Sequence, residues 1–258
     1  MDYIVSIDKL TFRYNDNFIF DKFSLNIGYG SFLTITGKNG CGKSTLIKII
    51  TGLILTDSDI KICGVKLNKN NLYSIRKNIG VMFDNVDNSF ITDTVEDELA
   101  FILENLCYKS PYIKRRIKEV SAMLNIEHLL NKSLDELSGG EKCIVALGCA
   151  IIHNPKLLII DESLSMIDVI SKEKIFKYLS NLNKNGMTII NVTHDLSESY
   201  YSNRLIVINN GKILLDGTPT KVMEYDKVLN KLGISIPFEI ELSIKLKLYG
   251  LVDKLYKY

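Results

Sequence analysis

The chain reads as an α/β protein, a mixed sheet wrapped by helices, on the strength of three observations. A buried-strand pattern, Ser31-Phe32-Leu33-Thr34-Ile35-Thr36, runs through a glycine-rich turn into Leu46-Ile47-Lys48-Ile49-Ile50, the apolar face of a helix. Two further apolar runs, Lys156 to Ile160 and Met187 to Val192, end in Asp161-Glu162 and Thr193-His194-Asp195. Helical stretches, Thr94 to Asn125 and Gly140 to His153, lie between these strands. Near-continuous apolar runs suit strands covered on both faces, and polar residues at strand ends are where such folds place their chemistry.

The remaining elements fit this frame. Tyr3 to Ile7 and Leu10 to Tyr14 alternate like strands, and Asn15-Asp16-Asn17 is a turn signal, so an antiparallel piece opens the fold. Arg204 to Ile208 and Lys212 to Leu215 flank Asn209-Asn210-Gly211, a hairpin turn. Beyond Pro237, the residues Ile240, Ile244, Leu248 and Leu251 recur at helical spacing, with Lys245, Lys247, Lys254 and Lys257 on a solvated face. The spacing alone does not say whether that helix packs on its own domain or supports contact between subunits.

Composition narrows the class. In 258 residues, 46% are hydrophobic, enough for a sizeable core, and 32 Lys and Arg nearly balance 30 Asp and Glu. A net charge of +2 recruits neither nucleic acid nor an anionic membrane through a strong field. The five cysteines, at 41, 63, 107, 143 and 149, form no Cys-x-x-Cys pair, which argues for a reducing cytosol and against a disulfide framework or structural zinc. The longest uninterrupted run of apolar residues and glycine, Ile144 to Ile152, is too short to cross a bilayer, so any membrane association is expected to be peripheral.

Three motifs carry chemistry. Gly37-Lys38-Asn39-Gly40-Cys41-Gly42-Lys43-Ser44-Thr45 has the spacing of a P-loop and the strand–turn–helix context that motif requires. Its glycines let successive N–H groups point at an anion, and the helix start adds about half a positive charge. Lys43 is expected to reach the β- and γ-phosphates, and Ser44 to give its hydroxyl to Mg²⁺. The thiol of Cys41, inside this cradle, is expected to react with a maleimide unless nucleotide shields it. The second motif delivers Asp161, placed to hold Mg²⁺, and Glu162, placed to polarise an attacking water. The third, Leu137-Ser138-Gly139-Gly140-Glu141-Lys142, reads either as a second anion-binding helix start or as a plain capping box.

Leu-Ser-Gly-Gly-Glu ahead of the Asp161-Glu162 strand resembles the signature of ATP-binding-cassette (ABC) ATPases. The resemblance covers nearly the whole chain. It implies a P-loop NTPase of ABC type over residues 1–235, with a mixed sheet core, an antiparallel β subdomain, a helical subdomain at about 85–153, and a C-terminal helical extension at 236–258. It puts Tyr14 against adenine, Ser165-Met166-Ile167-Asp168 in the D-loop, and His194 on the γ-phosphate. With Mg²⁺ as cofactor, ATP would sit between one chain's P-loop and Ser138-Gly139-Gly140 of a second, head-to-tail chain. The segments Asp84-Asn85-Val86-Asp87-Asn88, Ser165-Met166-Ile167-Asp168 and Leu232-Gly233-Ile234-Ser235-Ile236-Pro237 further resemble ATP-binding components of energy-coupling-factor transporters. That implies a homodimer, or a heterodimer with a paralogous ATPase, beneath a membrane coupling protein and a substrate-binding membrane subunit. The place implied is the cytoplasmic face of the membrane, and the cargo a vitamin or a cobalt or nickel ion.

The chain departs from the family pattern in places. Asp84 stands where a glutamine normally touches Mg²⁺, Val86 and Ser89 replace proline and glutamine, Glu141 replaces the signature's glutamine and Ile144 a common arginine. Cys41 and Cys143 fill positions that often carry serine and glutamine. Two other expectations compete: a soluble cassette acting on nucleic acid or ribosomes, and a regulatory subunit that scarcely hydrolyses, motivated by Asp84. Neither the solute nor the choice between ATP and GTP is legible.

Overall fold

The computed structural model describes residues 2–165 and 167–248. Two long strands open it, β1 (Tyr3–Tyr14) and β2 (Asn17–Gly28), and β3 (Phe32–Gly37) runs into α1 (Lys43–Ile50). Then come β4 (Asp59–Ile62), β5 (Val65–Lys66), α2 (Leu72–Arg76) and β6 (Ile79–Met82). Helices α3 (Val95–Asn105), α4 (Ser110–Leu124) and α5 (Gly139–Ile151) precede β7 (Leu157–Asp161), α6 (Val169–Lys184) and β8 (Thr188–Val192). The chain closes with β9 (Arg204–Asn209), β10 (Lys212–Gly217), α7 (Pro219–Met223), α8 (Asp226–Lys231) and α9 (Phe238–Leu248).

The strands form two sheets. One is antiparallel, in the order β2-β1-β4-β5; the other runs β10-β9-β3-β8-β7-β6, parallel except for the β10 edge. Alternation along the second sheet sends neighbouring side chains to different cores. Leu157 and Ile159 join the core shared with the antiparallel sheet and α1, whereas Leu158 and Ile160 join the one beneath α3 to α6. Both faces are thus sealed, which is why these strands read as unbroken apolar runs. A third, smaller core gathers Leu205, Val207, Val222, Met223, Leu229 and Ile240.

Two expectations are corrected, and the hairpin turn is found as expected. The opening strands form one element from Tyr3 to Tyr14, accommodated by register shifts and by a left-handed backbone at Lys9, φ 47°. The stretch from 94 to 125 is two helices. Cys107 turns left-handed at φ 58°, and Pro111 suits only the first turn of a new helix, where its missing N–H costs nothing. Asn210 and Gly211 both have positive φ, 47° and 68°, as a tight hairpin turn requires. In the tail, Ile240 packs into its own chain's third core. Met166, Leu251, Lys254 and Lys257 lie outside the described residues, among which no helix is long and apolar enough to cross a membrane.

Gly80 on β6 shows how closely the helices lie on the sheet. A Cβ there would run into the carbonyl of Ala150 on α5 and stand 3.2 Å from Pro155 Cγ. Backbone cannot yield as a flexible side chain can, so Gly80→Ala is expected to destabilise by about 1–3 kcal/mol. A lowered thermal midpoint would report this; an unchanged midpoint would show that α5 floats free of β6.

Candidate active site

The site is built at the ends of β3, β7 and β8. Strand β3 is buried along its whole length and stops at Gly37. A Cβ on Gly37 would collide with the carbonyl of Ile208 on β9, so only glycine lets the chain turn there. Gly40 and Gly42 adopt positive φ, 77° and 109°, and Gly42 opens α1 with no side-chain cap and no acidic residue in the first turn. The first N–H groups of a helix have no partner inside it. Here no capping side chain competes for them, and the exposed residues Lys38, Asn39, Gly40 and Ser44 surround them. This is a cradle for an anion, with Ser44 and Thr45 on the first turn of α1.

Three side chains from three elements converge on this turn. Lys43 is buried, and its ammonium donates to the carbonyl of Gly37 at 2.9 Å. It stands 3.7 Å from Glu162 Oε1 at the end of β7 and 3.4 Å from His194 Nε2 beyond β8. His194 Nε2 lies 2.8 Å from the same Glu162 oxygen. When Nε2 carries its hydrogen, the ring donates to Glu162 and Lys43 has no acceptor in that nitrogen. Glu162 itself has a left-handed backbone, φ 53°, pinned by its N–H donating to Val192 O at 2.9 Å. A non-glycine residue held there is strained, and such strain gathers at functional sites.

Asp161 supplies the charge contrast. Burial first, then the neighbouring carboxylates Glu162 and Asp84, push its pKa up to about 6, against the pull of Lys43 and Lys48. Its Oδ1 is buried without a hydrogen-bond partner among the described residues. An orphaned acid oxygen beside other carboxylates fits a hard divalent cation, for which Asp161, Ser44 and Asp84 are the available oxygen donors. Asp84 is exposed, and its Oδ1 accepts the N–H of Asn85 at 2.9 Å.

The other predicted residues are placed as follows. Tyr14 is 45% exposed, at the tip of the β1–β2 hairpin, with its ring edge-on to Phe12 at 4.9 Å; it is no core residue. That hairpin reaches the cradle through Ile19 and Phe20, since a Cβ on Gly42 would stand 2.9 Å from Phe20 Cζ and 3.1 Å from Ile19 Cγ2. Ser138 caps α5 in a capping box: Glu141 Oε2 accepts from Ser138 N at 2.8 Å and from Ser138 Oγ at 2.7 Å. Gly139 opens onto space, whereas a methyl on Gly140 would run into Ser171 on α6. The capping box is therefore present, and it leaves the glycine face of Gly139 clear.

Cys41 is a correction. Its side chain turns down into the core, 5% exposed, with Sγ beneath Gly37, and burial pushes the thiol up despite the pull of Lys43. A buried, protonated thiol is a poor nucleophile. Its backbone is engaged within the protein as well, the N–H donating to Lys38 O at 3.1 Å and the carbonyl accepting from Gly211 N at 3.3 Å.

Sequence reasoning missed Ile19, Phe20 and Ile208, which shape the glycine turn, and Lys172, which binds Asp195 beside His194. Ile208 reads as an ordinary strand residue, no pattern in the sequence singles out Ile19 or Phe20, and nothing in one sequence pairs Lys172 with a residue 23 positions away.

Residues 20–165 match the ABC transporter family, more than half of the chain. The chain belongs to that family. Among curated relatives, an energy-coupling factor transporter ATP-binding protein, EcfA1 of Bacillus subtilis, is 36% identical over 96% of this chain and 90% of its own. EcfA1 of Mycoplasma genitalium is 36% identical over 94% of this chain and 89% of its own. Among solved structures, CbiO1 of Clostridium perfringens, described as part of the ABC transporter complex CbiONQ, superposes with a TM-score of 0.81 at 29% identity. That match covers 92% of this chain and 97% of CbiO1. A dimeric ATP-binding cassette in a post-hydrolysis state, bound to ADP and Pi, gives 0.72 at 25% identity over 83% of this chain and 98% of its own.

Two outcomes follow. Because Asp161 holds its proton more tightly folded than unfolded, its contribution to stability falls as pH rises from the ordinary carboxylate range through about 6. Asp161→Asn should therefore raise the melting temperature of nucleotide-free protein at about pH 7.5 and lose that advantage toward about pH 4. A gain independent of pH would remove desolvation as the cause. In maleimide labelling of native protein, exposed Cys107 should react well before buried Cys41. Equal rates would show the glycine turn to be open.

Proposed function

We propose that this chain is the ATP-hydrolysing subunit of an energy-coupling-factor-type uptake transporter. In this reading it works as a homodimer, or with a paralogous ATPase, on the cytoplasmic face of the membrane. The observation that carries it is the meeting of Lys43, Glu162 and His194 at an uncapped helix start, in a chain similar to EcfA1 along most of its length. Residues 1–235 serve as the nucleotide-binding domain, with the helical subdomain at about 85–153 and an extension from 236 to 258.

The residues divide the work as their positions suggest. The amides of Gly37 to Thr45 receive the phosphates, and Lys43 turns from the Gly37 carbonyl and Glu162 toward the β- and γ-oxygens. Tyr14 offers an exposed ring for the purine. Ser44, Asp161 and Asp84 hold Mg²⁺, which when bound neutralises phosphate charge. Glu162, released from Lys43, accepts a proton from the attacking water as general base. His194 donates to the γ-phosphate from the nitrogen that now bridges to Glu162. Ser138-Gly139-Gly140 of the neighbouring subunit closes the site and excludes water, so these charges act in a low dielectric.

Coupling to the membrane has a physical candidate next to Asp84. The loop after β6 is tied to α3 by buried Glu98, which accepts from Ile91 N, Thr92 N and Thr92 Oγ1 at 2.8–3.0 Å. Between loop and helix lies a groove of about 210 Å³ flanked by Phe83, Phe90, Ile91, Phe101 and Ile102. Ile91 is 70% exposed. An apolar groove continuous with a nucleotide-site loop suits a helix of the membrane coupling protein. The cargo, a vitamin or transition-metal ion, is chosen by the substrate-binding membrane subunit.

Glu162→Gln keeps the shape and removes the base. ATP hydrolysis should fall by about 100-fold or more, while Mg-ATP binding persists and a nucleotide-dependent dimer accumulates on size exclusion. Hydrolysis at the wild-type rate, or a dimer indifferent to nucleotide, would contradict the assignment.

A further inference from the structure

Helix α6 starts at Asp168, whose Oδ1 accepts the N–H of Ser171 at 3.0 Å. From its first turn Lys172 reaches across to the loop that carries His194. Its ammonium donates to Asp195 Oδ2 at 3.1 Å and lies 2.9 Å from Glu198 Oε1. Glu198 is buried, and its other oxygen accepts from Asn191 Nδ2 on β8 at 2.9 Å. Asp195 Oδ1 accepts from Ser197 N at 2.9 Å and Ser197 Oγ at 2.6 Å. Burial pulls the Lys172 ammonium down, but its hydrogen bonds and the charges of Glu198 and Asp195 more than compensate, so it stays protonated.

Lys172 has a second neighbourhood. Ser171, the residue before it, is the one a methyl on Gly140 would strike. The glycine end of α5 therefore rests on the turn of α6 that holds the His194 loop. Ser171, Lys172 and Asp195 thus form a run of neighbours from Gly140 to His194, with Asp168 Oδ2 also 3.7 Å from where a Cβ on Gly140 would stand. An apolar contact would tolerate sliding at this joint. A hydrogen-bonded cation shared by two carboxylates fixes direction as well as distance.

We propose that Lys172 is a positioning residue that couples the Ser138-Gly139-Gly140 end of α5 to His194. Engagement of that helix end by the neighbouring subunit's nucleotide then sets His194 against the chain's own γ-phosphate. The proposal rests on the dimeric ATPase reading above, and it makes hydrolysis at the two sites interdependent.

The test is hydrolysis across a range of ATP concentrations for the full chain, Lys172→Met and Lys172→Arg, with Mg-ATP affinity measured by calorimetry on each. Lys172→Met should lower kcat by on the order of 10–100-fold and bring the Hill coefficient to about 1, with Mg-ATP affinity close to wild type. Lys172→Arg should recover most of both. The proposal is overturned if Lys172→Met keeps kcat and cooperativity, if wild type shows none, or if affinity and kcat fall together without rescue by arginine. Should Lys172→Met not fold, Asp195→Asn, which retains an oxygen for Ser197, is judged by the same split. Wild type that neither binds nor hydrolyses Mg-ATP would instead defeat the ATPase reading itself.

Discussion

A helix that starts without a capping side chain, at the end of a sealed strand, is the constraint on which this structure turns. The first amides of α1 are left to an external acceptor, and Gly42 at its head carries no side chain that could satisfy them. Every contact that shapes the turn serves this arrangement. Ile208 presses on Gly37 from one side, Phe20 and Ile19 press on Gly42 from another, and Cys41 fills the space beneath. The antiparallel sheet and the β9–β10 hairpin thus act as walls of the cradle as much as parts of the fold.

The second feature is an excess of negative charge facing one buried cation. Glu162, Asp161 and Asp84 interact around Lys43, and the pKa of Asp161 rises because burial and like charge both disfavour its ionised form. Lys43 is engaged by the Gly37 carbonyl and Glu162. A triphosphate with its metal offers Lys43 a better partner and Asp161 a positive one, so binding relieves two unfavourable arrangements together. The strained backbone of Glu162, fixed by Val192, holds the carboxylate at that junction.

Much of this was legible in the sequence because strand–turn–helix patterns and strand-end carboxylates are local signals. Gly37 to Thr45, Asp161 and Glu162 fall where their neighbours in the chain predict. Three things were not legible, each for a physical reason. Where the stretch from 94 to 125 breaks depended on Cys107 adopting a left-handed backbone, which no side-chain preference announces, although Pro111 signals that a break must come near it. The burial of Cys41 depended on β9 arriving over Gly37 from far along the chain. The Lys172 joint is tertiary throughout, since α6 and the His194 loop meet only when β7 and β8 pair. Ser138 was ambiguous between cap and anion site, and it makes the capping box while Gly139 stays clear, so the two readings are compatible.

The most direct measurement is a calorimetric titration of Mg-ATP into wild-type protein and Lys43→Met. Saturable uptake by wild type, and a loss of roughly 100-fold or more in affinity for the variant, is what a charge-assisted phosphate cradle predicts. Equal affinity in the two proteins, or no uptake by folded wild type, would contradict the account.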